Sequence, residues 1–152
     1  MNTPHDGVRF VPLGPADFRE VSAVDSAGQS DPWTERALRD ELADTHGFHF
    51  GARALAGGTL CAFILCRINL DELHIHRLCT HPARRRIGYA AALLEHAGVA
   101  ARVRGGVQAF LEVKASNAAA VRLYTRAGFT VEYERKAYYT DDGDALVMSR
   151  PL

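Results

Sequence analysis

The sequence predicts a mixed α/β sheet in a single domain. Apolar residues switch between a two-residue and a 3.6-residue period in the order β-α-α-β-β-β-α-β-α-β-β. Gly14-Pro15, Gly57-Gly58, Pro82, Gly105-Gly106 and Gly128 fall at junctions between those segments. No repeat, low-complexity tract or linker interrupts the 152 residues, a length that suits one sizeable core.

The elements follow in order. Val8–Leu13 is a short strand, and Gly14-Pro15 opens a helical stretch with Phe18, Val21 and Val24 on one face. A second helix starts after Asp31-Pro32-Trp33, with Thr34 as its N-cap and Leu38 and Leu42 one turn apart. Phe48–Leu55 and Thr59–Ile68 form a hairpin through Gly57-Gly58, and Leu73–Thr80 is a further strand ended by Pro82. An Ala- and Leu-rich helix then runs to about Val103 and stops at Gly105-Gly106. Val107–Val113 is a strand. Ser116 or Asn117 caps a helix through Ala127, which Gly128 closes. Phe129–Tyr138 and Leu146–Met148 supply the last two strands.

Eighteen basic residues balance eighteen acidic ones, so no global field draws nucleic acid or an anionic membrane. Residues Met1–Val8 lack the apolar core of a signal peptide, and no apolar run approaches the roughly 20 residues of a spanning helix. A cytoplasmic protein is expected, with residues 1–7 as a flexible lead. Cys61, Cys66 and Cys79 are odd in number and form no CxxC pair, which points to buried, inert thiols. His74, His76 and His81 lack a further ligand at metal-binding spacing, so no metal is expected.

Three features bear on chemistry. Arg85–Ala90 fits R-x-x-G-x-A between a strand and a helix, where unpaired helix-start N–H groups and a bulk-free Gly88 can meet a pyrophosphate. A solvated basic loop reads the same way; GxGxxG and GK[ST] are both absent. Glu112 lies between Leu111 and Val113 in a strand, facing either solvent or a site. In a cleft it could serve as a general base. Tyr124 lies two turns into the next helix, on a face with Ala120 and Ala127, where it could simply be core.

Ser116-Asn117-Ala118-Ala119-Ala120-Val121-Arg122-Leu123-Tyr124, followed by Ala127-Gly128-Phe129, closely resembles the last signature segment of the GNAT superfamily of N-acetyltransferases. LEVKASNAAAVRLYTRAGF, Pro32-Trp33-Thr34-Glu35, Asp71-Glu72 and Tyr138-Tyr139 resemble more narrowly the ribosomal-protein-alanine N-acetyltransferases, the RimI type. The resemblance runs from about Val8 to the end and implies one N-acetyltransferase domain over 1–152, with about seven mostly antiparallel strands and four helices. It also implies acetyl-CoA as cosubstrate and a protein N-terminus, that of a ribosomal protein, as acceptor.

Position by position, the resemblance makes Glu112 the base and Tyr124 the acid that protonates the departing thiolate. Leu78, Cys79 and Thr80 would lie along the pantetheine arm, with Arg85, Arg86, Ile87, Gly88, Tyr89, Ala90 and Ala91 around the pyrophosphate and Asn117 also on the cofactor. Trp33, Tyr138 and Tyr139 would lie near the incoming peptide. The chain departs from the pattern at Ile87, Ala90, Cys79 and Thr140, the last standing where Pro is common after the Tyr pair. A same-fold enzyme acting on a lysine or a small amine is the nearest alternative. A non-catalytic acyl-CoA sensor is a different one, although a sensor needs neither Glu112 nor Tyr124.

Overall fold

The computed structural model describes residues 7–138 and 143–152. Among these, seven strands and four helices alternate: β1 (Val8–Pro12), α1 (Phe18–Gly28), α2 (Glu35–Ala43), β2 (Phe50–Ala54), β3 (Leu60–Asn69), β4 (Glu72–Thr80), α3 (Tyr89–Val103), β5 (Gln108–Lys114), α4 (Ala118–Arg126), β6 (Thr130–Arg135) and β7 (Ala145–Pro151). The strands form one sheet in the order β1-β2-β3-β4-β5-β7-β6, antiparallel except where β4 meets β5.

Local chemistry explains the element ends. Thr34 caps α2, its hydroxyl oxygen accepting from Ala37 N–H at 3.1 Å. Of the two candidate caps for α4 it is Asn117 that serves, accepting from Ala120 N–H at 3.2 Å. The first helical stretch begins as a 3-10 turn, Pro15–Asp17, because the Asp17 carboxylate accepts from Gly14 N–H at 2.8 Å. The carbonyl of Gly7, the last residue of the expected lead, accepts from Leu55 N–H at 2.9 Å. Residues 1–6, the rest of that lead, lie outside the described residues. The sixth strand ends at Arg135, earlier than its apolar content suggests, and Ala137 beyond it has a φ of 50°.

Two apolar clusters sandwich the sheet. Val21, Val24, Leu38 and Leu42 cover one face with Phe63, Leu65 and Cys79; Leu93, Leu94, Ala97 and Ala101 of α3 cover the other with Ile64, Leu73, Ile75 and Leu111. All three cysteines are buried and unpaired, as their spacing suggested. No helix among the described residues is long and apolar enough to cross a membrane.

Candidate active site

The site begins as a fault in the sheet. Strands β4 and β5 run parallel from Glu72–Gln108 to the rung Ile75–Leu111, and the pairing ends there. His76 and Glu112 are therefore the first residues beyond the last rung, one on each arm of a fork. A bulge in β4 accompanies the split: Cys66 of β3 pairs with Ile75 and Leu65 with Arg77, so His76 has no partner across the ladder. Such an extra residue bends a strand and re-aims its side chains. Leu73 and Ile75 join the core beneath α3, whereas His76 and Arg77 both reach the α1/α2 side.

Each of these two basic residues meets a buried carboxylate. The Arg77 Nε and Nη2 donate to Asp25 Oδ1 and Oδ2 at 2.8 and 3.0 Å. The His76 Nδ1 lies 3.0 Å from Glu41 Oε1, and Arg67 Nη2 donates to Glu41 Oε2 at 2.6 Å. Burial alone would raise the Glu41 pKa, but hydrogen bonds from His76 and Arg67 outweigh it and hold the carboxyl at about 2. Neither carboxylate was singled out from sequence. Asp25 beside Val21 and Val24, and Glu41 beside Leu38 and Leu42, occupy core-facing helical positions, and that was the available signal.

Between the arms lies a cleft of about 1080 Å³. Leu78, Cys79 and Thr80 line it from β4, Arg85, Arg86 and Gly88 from the loop, Tyr89, Ala90 and Ala91 from the first turn of α3, and Glu112, Asn117 and Tyr124 from beyond the fork. Ile87 does not line it and is 45% exposed; it lies between two residues whose left-handed φ values, 65° at Arg86 and 95° at Gly88, turn the loop sharply. The loop is anchored by Arg85, whose Nη2 donates to Gly28 O at 2.6 Å. Arg84 and Arg126 add positive charge to the lining.

Cys79 is no nucleophile in waiting. Burial and the nearby Asp25 charge push its thiol up to about 11, and its Sγ–H points at Val24 O, 3.5 Å away. Burial, reinforced by the Cys66 thiol, likewise lifts the Tyr124 hydroxyl to about 12, so it stays protonated at neutral pH. Tyr124 also packs edge-on against Phe129, with ring centroids 6.0 Å apart, so it belongs to core and cleft together.

A second cleft, of about 680 Å³, meets the first at Ile75, His76, Leu111 and Glu112. Trp33, His74, Phe110, Tyr133 and Arg135 complete much of its wall. The Glu112 carboxylate faces Arg135 Nη1 at 3.3 Å, with both side chains partly exposed. Tyr138 is outside the lining, half exposed beside Arg135, whose guanidinium carbon is 5.1 Å from its ring centroid. Tyr139 and Thr140 lie outside the described residues.

The histidines are accounted for separately. His74 stacks on Phe110 at 5.5 Å and lies 2.8 Å from Glu72 Oε2, and His81 accepts from Ala83 N–H at 3.1 Å. Among the described residues no three His, Cys, Asp or Glu side chains gather as a metal site.

The fork fits coenzyme A. Among the described residues the β4 edge that faces β5 has no strand partner beyond Ile75 and can pair with an amide-bearing arm, and a helix start flanked by three consecutive arginines suits a pyrophosphate. The fold and this site together define a transferase fed by an acyl-CoA thioester. Known proteins agree. A model of the Acetyltransferase (GNAT) family matches residues 17–129. The [ribosomal protein bS18]-alanine N-acetyltransferase of Escherichia coli K12 is 32% identical over 143 residues, 92% of this chain and 95% of that one. The N-alpha-acetyltransferase RimI of Mycobacterium tuberculosis is 37% identical over 125 residues, 79% and 76% of the two chains. The crystal structure of the ribosomal-protein-S18-alanine N-acetyltransferase from E. coli superposes with a TM-score of 0.87 at 30% identity, covering 95% of this chain and 93% of that one. The chain belongs to the GNAT acetyltransferase family, and it is an acetyl-CoA-dependent N-acetyltransferase.

Proposed function

We propose that the whole chain acts as one cytoplasmic N-terminal acetyltransferase domain, whose acceptor is the N-terminal alanine of a small-subunit ribosomal protein. The observation that carries this reading is the meeting of two clefts at the fork, where Glu112 lines both. One cleft suits the thioester donor, and the other brings an extended N-terminus to it past Trp33 and Tyr133. The bS18 alanine named for the E. coli relative, and the N-alpha position named for the M. tuberculosis one, support the same acceptor class.

Magnitudes favour an α-amine. With reference pKa values of about 7.7–8.0 and 10.4, deprotonation at pH 7 costs roughly 1 kcal/mol for an α-amine and nearly 5 for lysine. Acetyl-CoA supplies the activated acyl carbon. Glu112 accepts a proton from the attacking nitrogen, and a backbone N–H near Cys79 steadies the developing oxyanion. Tyr124 gives its hydroxyl proton to the departing sulfur. Leu78 to Thr80, the Arg85–Ala91 loop and Asn117 hold the cosubstrate; Trp33, Tyr138 and Tyr139 guide the peptide.

Mass spectrometry of peptides incubated with acetyl-CoA tests the acceptor. A panel with free N-terminal Ala, Ser or Met and one with a blocked N-terminus and internal Lys should show transfer to the Ala peptide first. Preferential transfer to Lys would overturn the reading.

A further inference from the structure

An N-terminal α-amine is mostly an ammonium at neutral pH, and it must lose two protons to become an amide nitrogen. One leaves before attack, freeing the electron pair that forms the N–C bond. The other leaves afterwards, as the C–S bond breaks and its electrons go to sulfur. Tyr124 returns one proton to the thiolate, so the net reaction releases one to solvent. The fork carries two groups able to accept them.

His76 is the bulged residue at the mouth of the fork, and it lines both clefts. Its Nδ1 lies 3.0 Å from Oε1 of Glu41, a carboxylate 4% exposed and itself fixed by Arg67. An ionised carboxylate can only accept, so the imidazole proton sits on Nδ1 and Nε2 keeps its lone pair. Among the described residues the His76 ring makes no other hydrogen bond. Glu112, by contrast, already faces Arg135 at 3.3 Å, and protonating it would weaken that pair.

We propose that His76, oriented by Glu41, removes the first proton from the incoming α-ammonium, leaving the second to Glu112. The inference rests on the α-amine reading above. His76 is then a catalytic residue and Glu41 its positioning partner. The carboxylates around the ring are its partner Glu41 from α2 and, in the wall of the same cleft, Glu112 from β5 and Glu72 from β4. Arg67 of β3 and Arg77 of β4 are each bonded to a buried carboxylate, and Arg135 of β6 faces Glu112. His49, whose Nδ1 accepts from Cys66 N–H while burial holds its pKa below the ordinary range, adds no positive charge. His74 is bonded to Glu72.

The test is kcat/KM against pH for an N-terminal Ala peptide, measured on wild type, His76→Gln and Glu112→Gln, with a thermal melt for each. In wild type the acidic limb should lie below the amine's own pKa of about 7.7–8.0. In His76→Gln it should move up to that pKa, a loss of about tenfold at pH 7 that fades above pH 9, where the amine is already neutral. The Glu112→Gln deficit should persist at pH 9. Imidazole added to His76→Ala should restore activity at pH 7. On the unmodified protein, 15N NMR of the His76 ring should show a protonated Nδ1 and a bare Nε2 at pH 7.

A wild-type acidic limb in His76→Gln, a deficit equal at pH 7 and pH 9, or a proton on Nε2 would overturn the proposal. Wild-type protein that acetylates lysine but no N-terminal amine would overturn the acceptor reading, and this inference with it.

Discussion

Arg77 of β4 and Asp25 of α1 are joined by two hydrogen bonds, at 2.8 and 3.0 Å, across 52 residues of sequence. The same carboxylate accepts from Trp33 N–H at 2.8 Å, and the Arg77 guanidinium carbon lies 5.3 Å from the Trp33 ring centroid. One buried carboxylate thus fixes the helix, the cleft strand and the loop that carries Trp33.

Asp25→Asn should therefore be costly, because it leaves Arg77 largely buried without its counter-charge. Breaking a buried pair from one side costs about 3–5 kcal/mol. Chemical denaturation should register a loss of about that size, and KM for a peptide should rise as Trp33 loosens. A loss below about 1 kcal/mol would mean that solvent replaces the pair.

Glu41 makes stability depend on acid. Its carboxyl titrates at about 2 in the folded protein against an ordinary value of 4.5, so the folded state favours the ionised form. That stabilisation is complete above about pH 4.5 and is lost as pH falls through about 2. Thermal melts of wild type should drop across this window. Glu41→Gln should start lower and show a shallower drop.

Tyr124→Phe removes the proton donor and leaves the ring against Phe129. With its hydroxyl at about 12, Tyr124 is a weaker acid than an ordinary thiol. Its contribution should accordingly sit near the low end of the general-acid range, about 10²-fold in kcat, with acetyl-CoA affinity nearly unchanged. Full turnover in a chemistry-limited assay would make it a core residue only.

Gly88→Ala puts a Cβ on a residue at φ 95° that caps the start of α3. The left-handed region costs an L-residue about 1–2 kcal/mol, enough to weaken acetyl-CoA binding about tenfold if the loop relaxes when free. Calorimetry on the folded variant checks this, and unchanged affinity would take the loop out of the binding site.

The elements were readable because their signals are local. Leu38 and Leu42 announce a helix face, Thr34 the cap of that helix, Asn117 the cap of α4, and Gly105-Gly106 a stop. The bulge at His76 was not, since it exists only as a mismatch between two paired strands. The roles of Asp25 and Glu41 were hidden for a similar reason: their partners Arg77 and His76 stand 52 and 35 residues away. Arg135 meets Glu112 across β7, which lies between β5 and β6, an order that chain sequence does not reveal. Ile87 entered the expected cofactor set by its place in a motif, but the turn between Arg86 and Gly88 leaves it off the cleft wall.

The short parallel ladder has a mechanical meaning as well. Among the described residues, the first four strands meet the last three in the sheet through only four rungs, Glu72 to Ile75 against Gln108 to Leu111. A molecule seated in the fork touches both blocks where further rungs would otherwise bind them, and so acts as mortar in the joint. A donor held in the fork as proposed would stiffen the protein as it is caught, and release of the spent carrier would slacken the same joint.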